Sequence, residues 1–154
     1  MSNIAGILNR EIELVSRFIT LLGEEQECLK TGNADDLQSI TAKKEPLIGL
    51  MNAIESERMA AIGEAGRPSN GASMQRWLGQ NATDTAAAAS WQQLLDLARE
   101  AKSLHELNMQ LVEMHLRNTT EALAILTQPA ESSTLYGSSG QTMTSSGSRI
   151  VDSA

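Results

Sequence analysis

Two histidines, one cysteine and scattered carboxylates are the residues on which catalysis or metal binding would draw, and their spacing keeps them apart. His105 and His115 stand ten positions apart. On one helix they project roughly 80° apart and about 15 Å along the axis, too far to share a metal ion. A di-iron bundle requires Glu three residues before each liganding His, yet those positions hold Val112 and Lys102. Cys28 completes a Cys-Leu doublet in an apolar stripe, the setting of a small hydrophobe and not of an activated thiolate. As the lone cysteine it also excludes an intramolecular disulfide. Gly63, Gly66 and Gly71 sit in Gly-Glu-Ala-Gly-Arg-Pro and Asn-Gly, which is turn chemistry, so no Gly-rich loop opens onto a helix to cradle phosphate. The expectation is a protein that is not an enzyme and needs no cofactor or metal.

The elements that would carry these residues are helices. From Asn3 to Lys30, apolar doublets recur seven apart, as Ile7-Leu8, Leu14-Val15, Leu21-Leu22 and Cys28-Leu29. This is a heptad stripe on one helix of roughly 40 Å. Between the doublets, Ile4, Glu11, Phe18 and Glu25 alternate apolar and acidic, which makes the seam only partly apolar. Thr31-Gly32 supplies a stop, because Gly tolerates the left-handed geometry just past a helix end. A second helix follows at once, with Asn33 as N-cap and Asp35 and Asp36 in its first turn. Its stripe runs Leu37, Ile40, Lys44, Leu47, Met51, Ile54, Arg58 and Ala61-Ile62, in alternating steps of three and four. So short a turn predicts antiparallel packing against the first helix. Lys44 and Arg58 then lie in the seam, their aliphatic stems along it and their charges meeting acids such as Glu11 or Glu25. Pro46 predicts a kink or short break near residues 42–46, because it lacks an N–H and clashes with the Ala42 carbonyl.

Gly63, Gly66, Pro68 and Gly71 end the second helix and open a weakly patterned stretch to about Thr85. Within it, one or two helical turns at Ser73–Leu78 would carry Trp77 and Leu78 over the end of the bundle. A third long helix, capped by Thr83 or Asp84, ends by Gln128 because Pro129 terminates the pattern. Trp91, Leu94-Leu95, Ala98, Leu104, Leu107, Leu111-Val112, Met114, Ala122 and Ile125-Leu126 form a stripe on it that is broader than one antiparallel neighbour needs. Met109 and Met114 add side chains that repack readily. The fold class expected is all-α, an elongated antiparallel bundle of three long helices with one short helix over residues 1–128. From Ala130 to Ala154, fourteen of 25 residues are Ser, Thr or Gly. That composition predicts a disordered, flexible tail over 129–154, because it buries too little apolar area to offset ordering entropy.

Net charge is −7 with pI ≈ 4.8, and both halves of the chain are acidic. Nucleic acid and anionic membrane are therefore disfavoured as partners. Aromatic residues make up 3%, too few for a β-sandwich or barrel. The start MSNIAGILNREIE has neither a basic n-region nor an uninterrupted apolar h-region, and no apolar run approaches 18 residues, so a cytoplasmic address without a membrane span is expected. The sole tyrosine, Tyr136, lies in the polar tail beside Leu135. This pair either folds back onto the third long helix or anchors in a partner's pocket.

Taken in order, these features resemble the FlgN family of flagellar type III export chaperones over nearly the whole length. The features are the helix pair joined at Thr31-Gly32-Asn33-Ala34-Asp35, the run Lys43-Lys44-Glu45-Pro46-Leu47-Ile48 followed by Glu57-Arg58, Asn108 in the third long helix, and the tail Thr134-Leu135-Tyr136-Gly137 with Gly140-Gln141 and Ile150. The resemblance implies a cytoplasmic chaperone for the C-terminal regions of the hook-filament junction proteins FlgK and FlgL. Such a chaperone prevents premature assembly and delivers its cargo to the cytoplasmic domain of the export gate FlhA. It further implies that the third long helix holds substrate between Leu104 and Leu126, with Leu104, Leu107, Leu111, Met114, Ala122 and Leu126 on the binding face. The gate contact would be Leu135 with Tyr136. The competing expectation is a structural coiled-coil adaptor that self-associates through the same stripe.

Overall fold

A computed structural model describes residues 3–127, which form four α-helices: α1 (Ile4–Thr31), α2 (Ala34–Ala61), α3 (Gly71–Gln80) and α4 (Thr85–Thr127). No strand occurs among the described residues. The tail expected over 129–154 lies outside them. Residues 1–111 and 112–154 form two units. The packing below is that of the first; of the second, α4 residues 112–127 are described.

The turn between α1 and α2 forms as its residues dictate. Gly32 takes φ 73° and the Asn33 N–H donates to the Cys28 carbonyl at 3.0 Å, closing the last turn of α1. The Asn33 side chain then accepts from the Asp36 N–H at 3.1 Å and caps α2. Gly63, at φ 82°, ends α2 in the same way, with the Glu64 N–H donating to the Met59 carbonyl at 2.8 Å. Asp84 caps α4 by accepting from the Ala87 N–H at 3.1 Å.

Pro46 does not break α2, which runs unbroken from Ala34 to Ala61. The missing N–H costs the Ala42 carbonyl its helical donor. Both Ala42 and Pro46 are exposed, so water can satisfy that carbonyl, while Leu47 beside them is buried in the seam.

Pairing across α1 and α2 is antiparallel, with Glu11 opposite Arg58 and Glu25 opposite Lys44. α4 runs alongside α1 in the same direction, since Ser90 bonds Asn9 near one end and Asn108 bonds Leu22 further along. The order is thus up, down, up. At the end where α1 and α4 begin, Ile4, Leu8, Met74, Ala87, Trp91 and Leu94 make the main core cluster. The stretch expected to hold one or two helical turns is the ten-residue α3, capped by the Asn70 side chain accepting from the Ala72 N–H at 3.0 Å. Met74 is its fully buried residue, and Trp77 and Leu78 pack at the margin of the cluster.

Candidate functional site

The α2 stripe read from the sequence is the buried or half-buried side of that helix from Leu37 to Arg58; Ala61 alone is exposed. On α1 the inner line is Ile4, Leu8, Glu11, Val15, Phe18, Leu22, Glu25 and Leu29, none of them exposed. Two acids therefore sit in an otherwise apolar seam, two heptads apart, and two bases sit two heptads apart on α2.

Each charged layer binds all three long helices. In the first, Arg58 Nε donates to Glu11 Oε1 at 2.7 Å while its guanidinium carbon lies 5.0 Å from the centroid of the Trp91 ring. Glu11 and Arg58 are both buried. Burial pushes the Glu11 carboxyl above its ordinary 4.5, against the opposing hydrogen bond and charge of Arg58, and Glu55 adds to the rise. In the second layer, Lys44 Nζ donates to Glu25 Oε2 at 3.0 Å and stands 5.7 Å from the Phe18 ring centroid. Asn108 Nδ2 donates both to Glu25 Oε1 at 2.8 Å and to the Leu22 carbonyl at 2.9 Å. Asn108 is 2% exposed, and its Oδ1 has no hydrogen-bond partner among the described residues.

These layers set register. A slip of one heptad would place Glu11 against Met51 and Glu25 against Leu37, burying both acids without a base. The four charged groups of the two layers are paired with each other inside the seam. Cys28 is half-buried, and its thiol is pushed up by burial first and then by Asp36, Glu24, Glu25 and Glu27, which opposes thiolate chemistry. His105 and His115 are both exposed, and among the described residues no three His, Cys, Asp or Glu side chains group to hold a metal.

The fold also leaves a set of large apolar side chains exposed. Of the ten large exposed hydrophobic side chains among the described residues, eight lie on α4, and the other two are Ile48 and Leu50 on α2. In the first unit, Leu104 and Leu111 are half-buried, whereas Leu107 is 48% and Met109 46% exposed. In the second, Met114 is 43%, Leu126 77% and Ile125 71% exposed, and Ala122 is also exposed. Leu116 at 65% and Leu123 at 56% complete this surface. They escaped the sequence reading, although their seven-residue spacing, continued to Val112 and Leu126 in steps of four and three, was a legible signal. Leu135 and Tyr136 lie outside the described residues.

No helix among the described residues is long and apolar enough to cross a membrane. Compared with known proteins, residues 1–144 match the family described as FlgN protein. The flagella synthesis protein FlgN of Salmonella typhimurium is 28% identical over 150 residues, covering 94% of each chain. That of Proteus mirabilis is 30% identical over 145 residues, covering 92% of this chain and 90% of its own. The Escherichia coli protein of the same name is 26% identical over 146 residues, covering 94% of this chain and 93% of its own. No solved structure shows a significant match.

Proposed function

This chain belongs to the FlgN family of flagella synthesis proteins, and we propose that it serves flagellar biogenesis as a cytoplasmic export chaperone for the C-terminal segments of FlgK and FlgL. The observation that carries this reading is the bare apolar surface of α4. Burying one Leu, Ile or Met side chain fully contributes about 1.5–3 kcal/mol, so exposed side chains from Leu107 to Leu126 hold enough unspent apolar surface to bind an amphipathic segment. Residues 112–127 are all exposed. Met109 and Met114 adapt that surface to more than one sequence.

Leu104, Leu107, Leu111, Met114, Ala122 and Leu126 form the substrate face in this reading, and Leu116 and Leu123 enlarge it. Ordering a disordered export segment costs about 2–5 kcal/mol, which leaves a complex specific enough to shield the cargo and weak enough to release it. Leu135 and Tyr136 then engage the cytoplasmic domain of FlhA, a division that keeps cargo and gate contacts on different parts of the chain.

Calorimetric titration of the full chain with C-terminal fragments of FlgK and FlgL tests the proposal. A one-to-one complex in the micromolar range or tighter supports it, and no heat or complex at tens of micromolar removes it. The same bare surface would also serve an adaptor that pairs with its own copies. Sedimentation separates the readings, since a tight oligomer that excludes the fragments belongs to the adaptor.

A further inference from the structure

Leu50, one of the two large apolar side chains exposed on α2, marks a second surface. Leu50, 50% exposed, lines a groove of about 430 Å³ between α1 and α2 with Arg17, Leu21, Lys43, Pro46 and Leu47. Leu50 also lines a neighbouring depression beside Arg10 and Glu57, and Lys43 lines another beside Cys28. The three follow one another along α1 from Arg10 to Cys28, a length of roughly 27 Å at 1.5 Å per residue.

Charge along this trough is uneven. At one end Arg10 is held by Glu57, with Glu13 as the remaining acid. Arg17 and Lys43, both exposed at the rim, form no ion pair among the described residues, although the protein carries an excess of acids. Toward Cys28 the lining turns acidic, with Glu24, Glu27 and Asp36. An apolar floor, two cations at mid-length without an ion pair among the described residues, and a more strongly acidic end at Glu24, Glu27 and Asp36 match a helix of complementary pattern.

From this arrangement we infer that the α1–α2 trough is a second docking site, separate from α4, for an amphipathic helix. That helix bears carboxylates beside the middle of its apolar stripe and a basic residue at the end lying over Glu24, Glu27 and Asp36. Its apolar stripe covers Leu21, Pro46 and Leu50, and its carboxylates pair with Arg17 and Lys43. The site stands whether or not α4 binds export cargo, and a chain holding both would join a cargo segment to a second helical protein.

The probe is a synthetic 18-residue helical peptide with Leu at alternating third and fourth positions, Glu flanking the central Leu residues and Lys at one end. It is titrated against the full chain by fluorescence anisotropy. Saturable binding is expected, weakened about tenfold by Arg17→Glu with Lys43→Glu, weakened also by Leu50→Ser, and unchanged by Leu116→Ser with Leu123→Ser. A peptide with Lys in place of the central Glu residues should bind at least tenfold less tightly. The inference is overturned if the peptide does not bind, if the Lys peptide binds equally well, or if the loss follows Leu116 and Leu123. It is equally overturned if sedimentation of the chain alone shows an oligomer that Arg17→Glu with Lys43→Glu dissociates, because the trough then belongs to a second copy.

Discussion

Glu11 and Arg58 meet 2.7 Å apart inside the α1–α2 seam, each buried, with Trp91 of α4 against the guanidinium. Such a pair adds less to stability than to register, because the desolvation of both charges offsets much of their attraction. Glu11→Leu alone strands a buried guanidinium and is expected to destabilise the protein by about 3–5 kcal/mol. Glu11→Leu with Arg58→Met should recover most of that loss. Urea unfolding of both variants checks this, and a double variant as unstable as the single one would show that the ion pair itself supplies net stability.

Acid titration reports the same balance. Burial raises the Glu11 carboxyl above 4.5 in the folded chain, so the native state holds this proton more tightly than the unfolded state. The contribution of this group is therefore fully present below pH 4.5 and is lost as pH rises through the folded value. Carbon-detected NMR of the Glu11 carboxyl should give a midpoint above 4.5. A midpoint below it would mean that Arg58 outweighs desolvation.

Asn108 ties α4 to α1 through Glu25 and the Leu22 carbonyl, yet its own Oδ1 is buried without a partner among the described residues. Asn108→Leu removes two hydrogen bonds and an unsatisfied acceptor together, so a net cost below about 2 kcal/mol is expected. Asn108→Ala adds a cavity and should cost more. Thermal melts that rank the two variants in the opposite order would contradict this account.

Leu116 and Leu123 are 65% and 56% exposed. Replacing both by Ser should change unfolding free energy by less than about 1 kcal/mol, as surface changes do. The same variant should weaken binding of FlgK and FlgL fragments at least tenfold. A destabilised protein with intact binding would reverse the assignment.

Tyr136→Ala is expected to leave binding of the fragments unchanged while it weakens docking to the cytoplasmic domain of FlhA. Parallel titrations of the laden chain decide it. Equal loss in both would mean that cargo and gate contacts are not separate.

The α1–α2 hairpin was nearly complete in the sequence, down to the Gly32 stop, the Asn33 cap and the meeting of Lys44 and Arg58 with Glu25 and Glu11. Heptad spacing carries that much because neighbours on one helix face are set by local geometry. α3 was partly hidden, since Asn70-Gly71 reads as a turn until the Asn70 side chain is seen to cap a helix. At Pro46 the short break that its local cost allows does not occur, and Leu47 beside it is buried in the seam.

By itself the sequence determined the three long helices, the Gly32 stop, the Asn33 cap and the facing stripes of α1 and α2, all of which follow from residue type and spacing. Only the tertiary structure decided which apolar residues stay bare, that Asn108 closes on Glu25 across 83 positions, and that Arg17 and Lys43 flank an open trough. Periodicity fixes the direction in which a side chain points; whether another helix stands there depends on how distant segments pack, and that is a property of the whole chain.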